Sequence, residues 1–227
     1  MQPSSHSKTY TLYGRRKGRP LRVTKQGLMD NLLPRIALPE GSEPLDLQKI
    51  FLNKKDVCLE VGFGGGEHLA AQAAAHPDYG FIGCEPFMNG IASLLSHIDE
   101  KKLQNIRLWP HDARPLLDRL PKASLSRVFV LFPDPWPKKR HAGRRFIGPD
   151  NLEKLARVIK PGGELRMASD DPTMQAWMQE QLSACLDFTP APGVMQTRPE
   201  GWPPTRYEEK ALKAKRTPLY FSFRRGS

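Results

Sequence analysis

Beyond Pro44 the chain alternates short apolar runs with longer stretches in which apolar residues recur every three or four positions. The short runs, at residues 57–61, 80–84, 106–109, 128–132, 164–168, near 187–190 and 219–223, have the length and composition of strands. Between them, residues 67–75, 88–98 and 151–159 have helical spacing, and Ile91, Leu94, Leu95 and Ile98 make one apolar face. The segment DDPTMQAWMQEQL opens a further helix, with Asp171 as N-cap and Pro172 in the first turn. KPGGEL, residues 160–165, ends a helix and turns into a strand. This alternation predicts βα units around a parallel sheet, an α/β domain over residues 46–227. Residues 1–45 have little sustained periodicity. They are interrupted by Gly and Pro, carry Lys8, Arg15, Arg16, Lys17, Arg19, Arg22, Lys25 and Arg35, and are expected to form a flexible basic arm.

Charge extends this picture to a partner. Lys and Arg number 35 against 24 Asp and Glu, a formal charge of +11, which favours a polyanion such as nucleic acid. Cys58, Cys84 and Cys185 are widely spaced and form no CxxC or Cys/His ligand pattern, so no metal site is expected and a reducing cytoplasm fits. No apolar run approaches the ~18 residues of a membrane helix, and the N-terminus lacks the apolar segment of a signal peptide. GRRKGRP makes a poor amphipathic helix for a transit peptide.

Candidate chemistry begins at VCLEVGFGGGEH, a glycine-rich turn between the first strand and a helix, where backbone passes close to a ligand over the sheet edge. The dinucleotide fingerprint would need glycine at position 67, which is Glu67; the pattern instead is E-x-G-x-G-x-G, with Glu60 on the strand and Gly62 and Gly64 in the turn. A carboxylate there repels a pyrophosphate but suits the ammonium and sulfonium of S-adenosylmethionine. The second strand ends in Glu85, placed to accept two ribose hydroxyls, and the third in WPHDA, whose Asp112 can receive an adenine amino group. One such acid is more often a cap or turn residue; three at consecutive strand ends make a cofactor site.

The fourth strand delivers Asp134 to the same edge, between Pro133 and Pro135, which restrict its backbone. Trp136 can stack on a base, shield the site, or serve as a core-edge aromatic. Lys138, Lys139, Arg140, Arg144 and Arg145 follow, and beside an active-site edge they favour phosphate contact over a merely solvated loop. Asp170 ends the fifth strand and can share the substrate or cap the next helix.

At these residues the chain resembles the bacterial tRNA (guanine-N7)-methyltransferases. The likeness rests on LEVGFGGG, GCEPF, HDA, FPDPWPKKRHAGRR, IKPGGEL and ASDDP, followed by TRYE, in order from about residue 10 to 225. The resemblance implies a Rossmann-like class I methyltransferase fold, a mostly parallel seven-stranded sheet with an antiparallel last strand and helices on both faces. It implies methyl transfer from S-adenosylmethionine to N7 of the variable-loop guanine, conventionally position 46, in tRNA. Glu60, Glu85, Asp112 and Asp134 match the family's cofactor contacts, and Asp134 its proposed catalytic residue. Lys138, Asp170 and the segment Thr205, Arg206, Tyr207, Glu208 match its substrate positions; the loop from Arg140 through Arg144 and Arg145 matches its RNA-contact segment. Pro137 stands where many members carry histidine, so that histidine's role does not transfer, and Arg206–Tyr207 stands where Lys-Phe is frequent. A methyltransferase acting on another RNA or on protein is an alternative, as is an RNA-binding module without activity, though retention of all the acids speaks against the latter. No heptad or apolar patch points to self-assembly.

Overall fold

The computed structural model describes residues 10–191, 197–200 and 202–227. In chain order the elements are α1 (Val23–Asn31), α2 (Leu33–Ile36), α3 (Leu47–Ile50), β1 (Asp56–Val61), α4 (Glu67–Ala75), β2 (Tyr79–Cys84), α5 (Met88–Lys101), β3 (Ile106–Trp109) and α6 (Ala113–Arg119). There follow β4 (Leu125–Leu131), a 3-10 turn at Lys139–Arg144, α7 (Pro149–Val158), β5 (Ile159–Ser169), α8 (Pro172–Ser183), β6 (Phe188–Pro190), α9 (Arg206–Lys213) and β7 (Leu219–Arg225). The seven strands form one sheet in the order β3-β2-β1-β4-β5-β7-β6. β1 to β5 are parallel, and β7 runs antiparallel to both β5 and β6.

Side chains alternate between two apolar layers, as a pleated strand requires. Along β1 and β4, Val57, Leu59, Val128 and Val130 join the layer that holds α6, α7 and α8; Cys58, Phe129 and Leu131 join the one that holds α1, α4 and α5. The face predicted for residues 88–98 is the buried face of α5. Asp171 caps α8 by accepting the Met174 N–H at 3.0 Å.

Three stretches differ from expectation. KPGG continues β5 as strand: Leu125 pairs with Ile159, the register shifts before Arg127, and Gly162 takes the left-handed φ of 74° that this bulge needs. α6 forms in a stretch with no element assigned, because Asp112 caps it and Leu116 and Leu117 are fully buried. α9 forms just beyond the Pro-rich stretch. Within the expected arm, α1 packs on α5 through Met29, and the Leu38 N–H donates to Leu108 O at 2.8 Å, so part of the segment before residue 46 lies against the sheet.

Candidate active site

The parallel register sets the site. Val61 pairs with Cys84 and Val130, Cys84 with Trp109, and Leu131 with Ala168, so the residues after these strands emerge along one edge. The order reverses between β1 and β4, opening a crevice there. A cavity of about 1010 Å³ occupies this edge, and Gly62, Gly64, Glu85, Asp112 and Asp134 all line it.

Gly62 and Gly64 have φ of 72° and 57°, a region that favours glycine. A Cβ on Gly64 would sit 2.8 Å from the Tyr207 ring, whereas one on Gly62 would meet no atom of the described residues within 4 Å. The turn is thus a bare backbone cradle under an aromatic ring. Glu85 is buried beneath it: Oε2 accepts the Gly64 N–H and Oε1 the Phe87 N–H, each at 2.9 Å. Burial pushes the Glu85 carboxyl above its ordinary value, the two backbone donors pull it down, and the Asp134 and Glu60 carboxylates push it up again. A carboxylate has about four acceptor positions, so each oxygen keeps one for a ligand hydroxyl.

Asp112 is less free. It caps α6 through the Arg114 N–H at 2.9 Å, and the Arg114 guanidinium holds it at 2.5 to 3.1 Å. Glu60 does not line the cavity at all. It is buried on the α4 side of the sheet, where Oε2 meets His68 Nδ1 at 2.7 Å, and it borders a separate recess of about 10 Å³. The His68 ring lies edge-on to Phe129 and Trp202, at 4.8 and 4.6 Å between centroids, and its Nε2 is buried with no hydrogen-bond partner among the described residues.

Asp134 is exposed at the cavity wall, so its position comes from its flanks rather than from burial. Phe132 and Trp136 on either side have left-handed φ of 51° and 42°. The Phe132 N–H donates to Ala168 O at 2.8 Å, which ties the turn's start to β5. Trp136 flanks the guanidinium of Arg144, which lies 5.0 Å from its ring and 4.6 Å from that of Tyr13. Lys138, Lys139 and Arg140 are exposed; Arg145 is buried.

The other expected substrate residues divide. Arg206 and Tyr207 are exposed, line the cavity and start α9, with Tyr207 stacked on Phe132 at 14° and 6.5 Å. Thr205 caps α9, accepting the Glu208 N–H at 3.1 Å, and the buried Glu208 binds Arg198 at 3.1 Å. T-x-x-E is here a helix start. Asp170 does not cap α8; its Oδ2 accepts Arg216 Nε at 2.7 Å. The structure adds the stretch from Tyr10 to Arg19 along the rim. Arg114 donates to Thr11 O at 2.8 Å, the Met88 N–H to Arg16 O at 2.9 Å, and Asn89 bridges Gly18 N–H and Arg19 O at 2.8 Å each. Tyr10 and Tyr13, two aromatics among the arm's cations, are the sequence signal for a segment that packs along this rim.

Among the described residues, no group of three or more His, Cys, Asp or Glu has metal-holding geometry, and no helix is long and apolar enough to cross a membrane.

Residues 54–220 match the model of a family described as "Putative methyltransferase". The chain is 50% identical to a tRNA (guanine-N(7)-)-methyltransferase of Rhodospirillum rubrum, covering 98% of this chain and 91% of that protein. It is 52% identical to one of Paramagnetospirillum magneticum, covering 94% and 92%. Among solved structures, the 16S rRNA methyltransferase KamB superposes with a TM-score of 0.59 at 17% identity, covering 82% of this chain and 95% of that one. A 16S rRNA (adenine(1408)-N(1))-methyltransferase of Catenulisporales acidiphilia gives 0.54 at 18%, covering 81% and 92%. These two share the fold.

Proposed function

The chain belongs to the bacterial tRNA (guanine-N(7)-)-methyltransferases, and from that premise we propose how its residues carry the reaction. It is an S-adenosylmethionine-dependent enzyme that methylates N7 of guanine in tRNA. The target guanine is the one in the variable loop, conventionally position 46. The compartment is the cytoplasm, in keeping with a tRNA partner and three unpaired cysteines.

The residues present fit the cofactor. The bare backbone at Gly62 and Gly64 would admit it closely, the free acceptor positions of Glu85 would receive its ribose hydroxyls, and Asp112, at the same cavity, would accept from its adenine amino group. When bound, S-adenosylmethionine supplies an electrophilic methyl on a sulfonium centre. Guanine N7 has an in-plane lone pair and no proton, so its attack requires no general base. What remains for the protein is to align the guanine, exclude water and stabilise the positive charge the purine acquires.

Asp134 performs the last task. Its carboxylate accepts the N1 and N2 hydrogens of guanine, which selects guanine over adenine and counters the developing charge. Tyr207, standing over Gly64 and stacked on Phe132, closes the site against water. Lys138 and Arg140, exposed at the start of the basic run, take tRNA phosphates, and Arg144, Arg206 and Lys210 extend the cationic wall. Asp170, Thr205 and Glu208 serve at one remove, holding the strand and helix ends that present Arg206 and Tyr207.

The observation that carries this reading is the convergence of the glycine turn, Glu85 and Asp134 on one cavity. Incubation with labelled cofactor and total tRNA, then nucleoside analysis, yields N7-methylguanosine; a different methylated nucleoside overturns it. In the same assay Asp134→Asn lowers turnover on the order of a hundredfold, the scale of one lost transition-state contact.

A further inference from the structure

Arg145 lies in the cationic run after Asp134, and charge alone assigns it to RNA. Its surroundings assign it elsewhere. It borders the cavity but is only 9% exposed, and its polar atoms turn inward: Nε donates to Pro135 O at 3.0 Å and Nη2 to Trp136 O at 3.1 Å. Its guanidinium lies 4.6 Å from the ring of Trp177, whose indole N–H is itself fixed on Ile147 O at 2.6 Å. Both acceptor carbonyls belong to the residues immediately after Asp134.

The turn needs such a clamp. Phe132 and Trp136 hold left-handed φ values that bulky residues adopt only where the surroundings over-determine them. The prolines fix φ at 133 and 135, and Ala168 O anchors the Phe132 N–H, but nothing in those constraints sets the orientation of the last two peptide planes. Two parallel donors on one rigid plane do, and a planar fork stacked on an aromatic is what arginine offers and lysine does not.

We propose that Arg145 is a positioning residue for methyl transfer: it acts through the Pro135 and Trp136 carbonyls to hold Asp134, and makes no contact with tRNA. The inference rests on the role given to Asp134 above. In the full-length protein, Arg145→Lys lowers kcat about tenfold or more, the scale of a lost charge-assisted pair. It leaves the tRNA KM within about twofold and the salt dependence of tRNA binding as in the wild type, because no phosphate contact is lost. Because Arg145 acts through Asp134, the double variant with Asp134→Asn is no more than about twofold slower than Asp134→Asn alone.

An unchanged kcat with raised tRNA KM and a shallower salt slope would mean that Arg145 binds RNA, and overturns the proposal; so does a double variant slowed by the full product of the two single effects. Cofactor binding by calorimetry establishes that Arg145→Lys is folded. Should it not fold, Trp177→Leu, which removes the stacking partner and keeps both donors, shows a smaller fall in kcat at unchanged tRNA KM; wild-type kcat there overturns the proposal. Asp134→Asn measured alone separates the two readings. If it turns over like the wild type, the assignment of Asp134 falls, whereas a slow Asp134→Asn beside a fast Arg145→Lys removes only the role of Arg145.

Discussion

Glu85→Gln tests the cofactor end with the least change in shape. The two Glu85 oxygens each accept a backbone N–H at 2.9 Å, from Gly64 and Phe87, so both ends of the side chain must be acceptors. Glutamine supplies one. Its amide group then faces either the glycine turn or the start of α5, donor against donor, and the ribose loses a charged acceptor as well. Two hydrogen bonds to a charged group lie at stake, each contributing about 1.5–3 kcal/mol, and glutamine retains part of one. A net loss of about 2–4 kcal/mol follows, roughly a thirty- to thousandfold weaker cofactor affinity. Stability without cofactor moves much less. Burial raises the Glu85 carboxyl above its ordinary value, so its charge is itself costly in the folded protein, and neutralising it offsets much of the lost bonding. Calorimetric titration with S-adenosylmethionine beside a melt of the free protein separates the two effects. An affinity within threefold of wild type, with the melt unchanged, would refute the placement of the ribose on Glu85.

Lys138→Ala weakens tRNA binding and reduces the slope of log affinity against log salt by about one, leaving cofactor affinity intact; a slope equal to that of the wild type assigns no phosphate to Lys138. His68→Ala leaves the Glu60 carboxylate buried without its histidine and destabilises by about 3–5 kcal/mol. That lowers the melting temperature by several degrees, and an unaltered melt removes the pair from the fold's support. Burial pushes the Glu164 carboxyl up, but Arg166 and Arg127, at 2.7 and 2.8 Å, outweigh it and bring it below the ordinary 4.5. Its contribution is therefore fully present above about pH 4.5, the unfolded value, and fades as acid protonates the folded carboxyl. Glu164→Gln is less stable at pH 7 by about 2 kcal/mol in urea melts, with the gap closing at lower pH, and a pH-independent gap contradicts the pairing.

The sheet was legible because its strands are apolar runs bounded by turns, and β3, α4 and the buried face of α5 fall where periodicity places them. What periodicity misplaced has local causes. α6 starts ARPLL, with a proline in its first turn, and is too short for a face to repeat. α9 stands behind the PEGWPP stretch, and its start at Thr205 and Glu208 uses the same residue types as a binding motif, so sequence alone gives no helix signal there. Arg145 shows the limit of charge as a guide. Five cations within eight residues look equivalent in sequence, but only the folded turn shows that one of them is buried against two carbonyls while Lys138, Lys139 and Arg140 face water.

The acids at the strand ends differ for a reason that strand geometry supplies. Glu85 follows β2 by one residue, and Asp112 and Asp134 follow β3 and β4 by three. All have left the pleat and can turn toward the sheet's edge. Glu60 has not: it is the penultimate residue of β1, two after Cys58, and period-two alternation sends both to the face covered by α4 and α5. There a lone carboxylate would be intolerable, and His68, in the first turn of α4, meets it at 2.7 Å. The same histidine ring packs on Trp202, just before Thr205. Glu60 thus joins the glycine turn to the segment that carries Tyr207, so its place in the motif is explained by what it holds together as much as by charge.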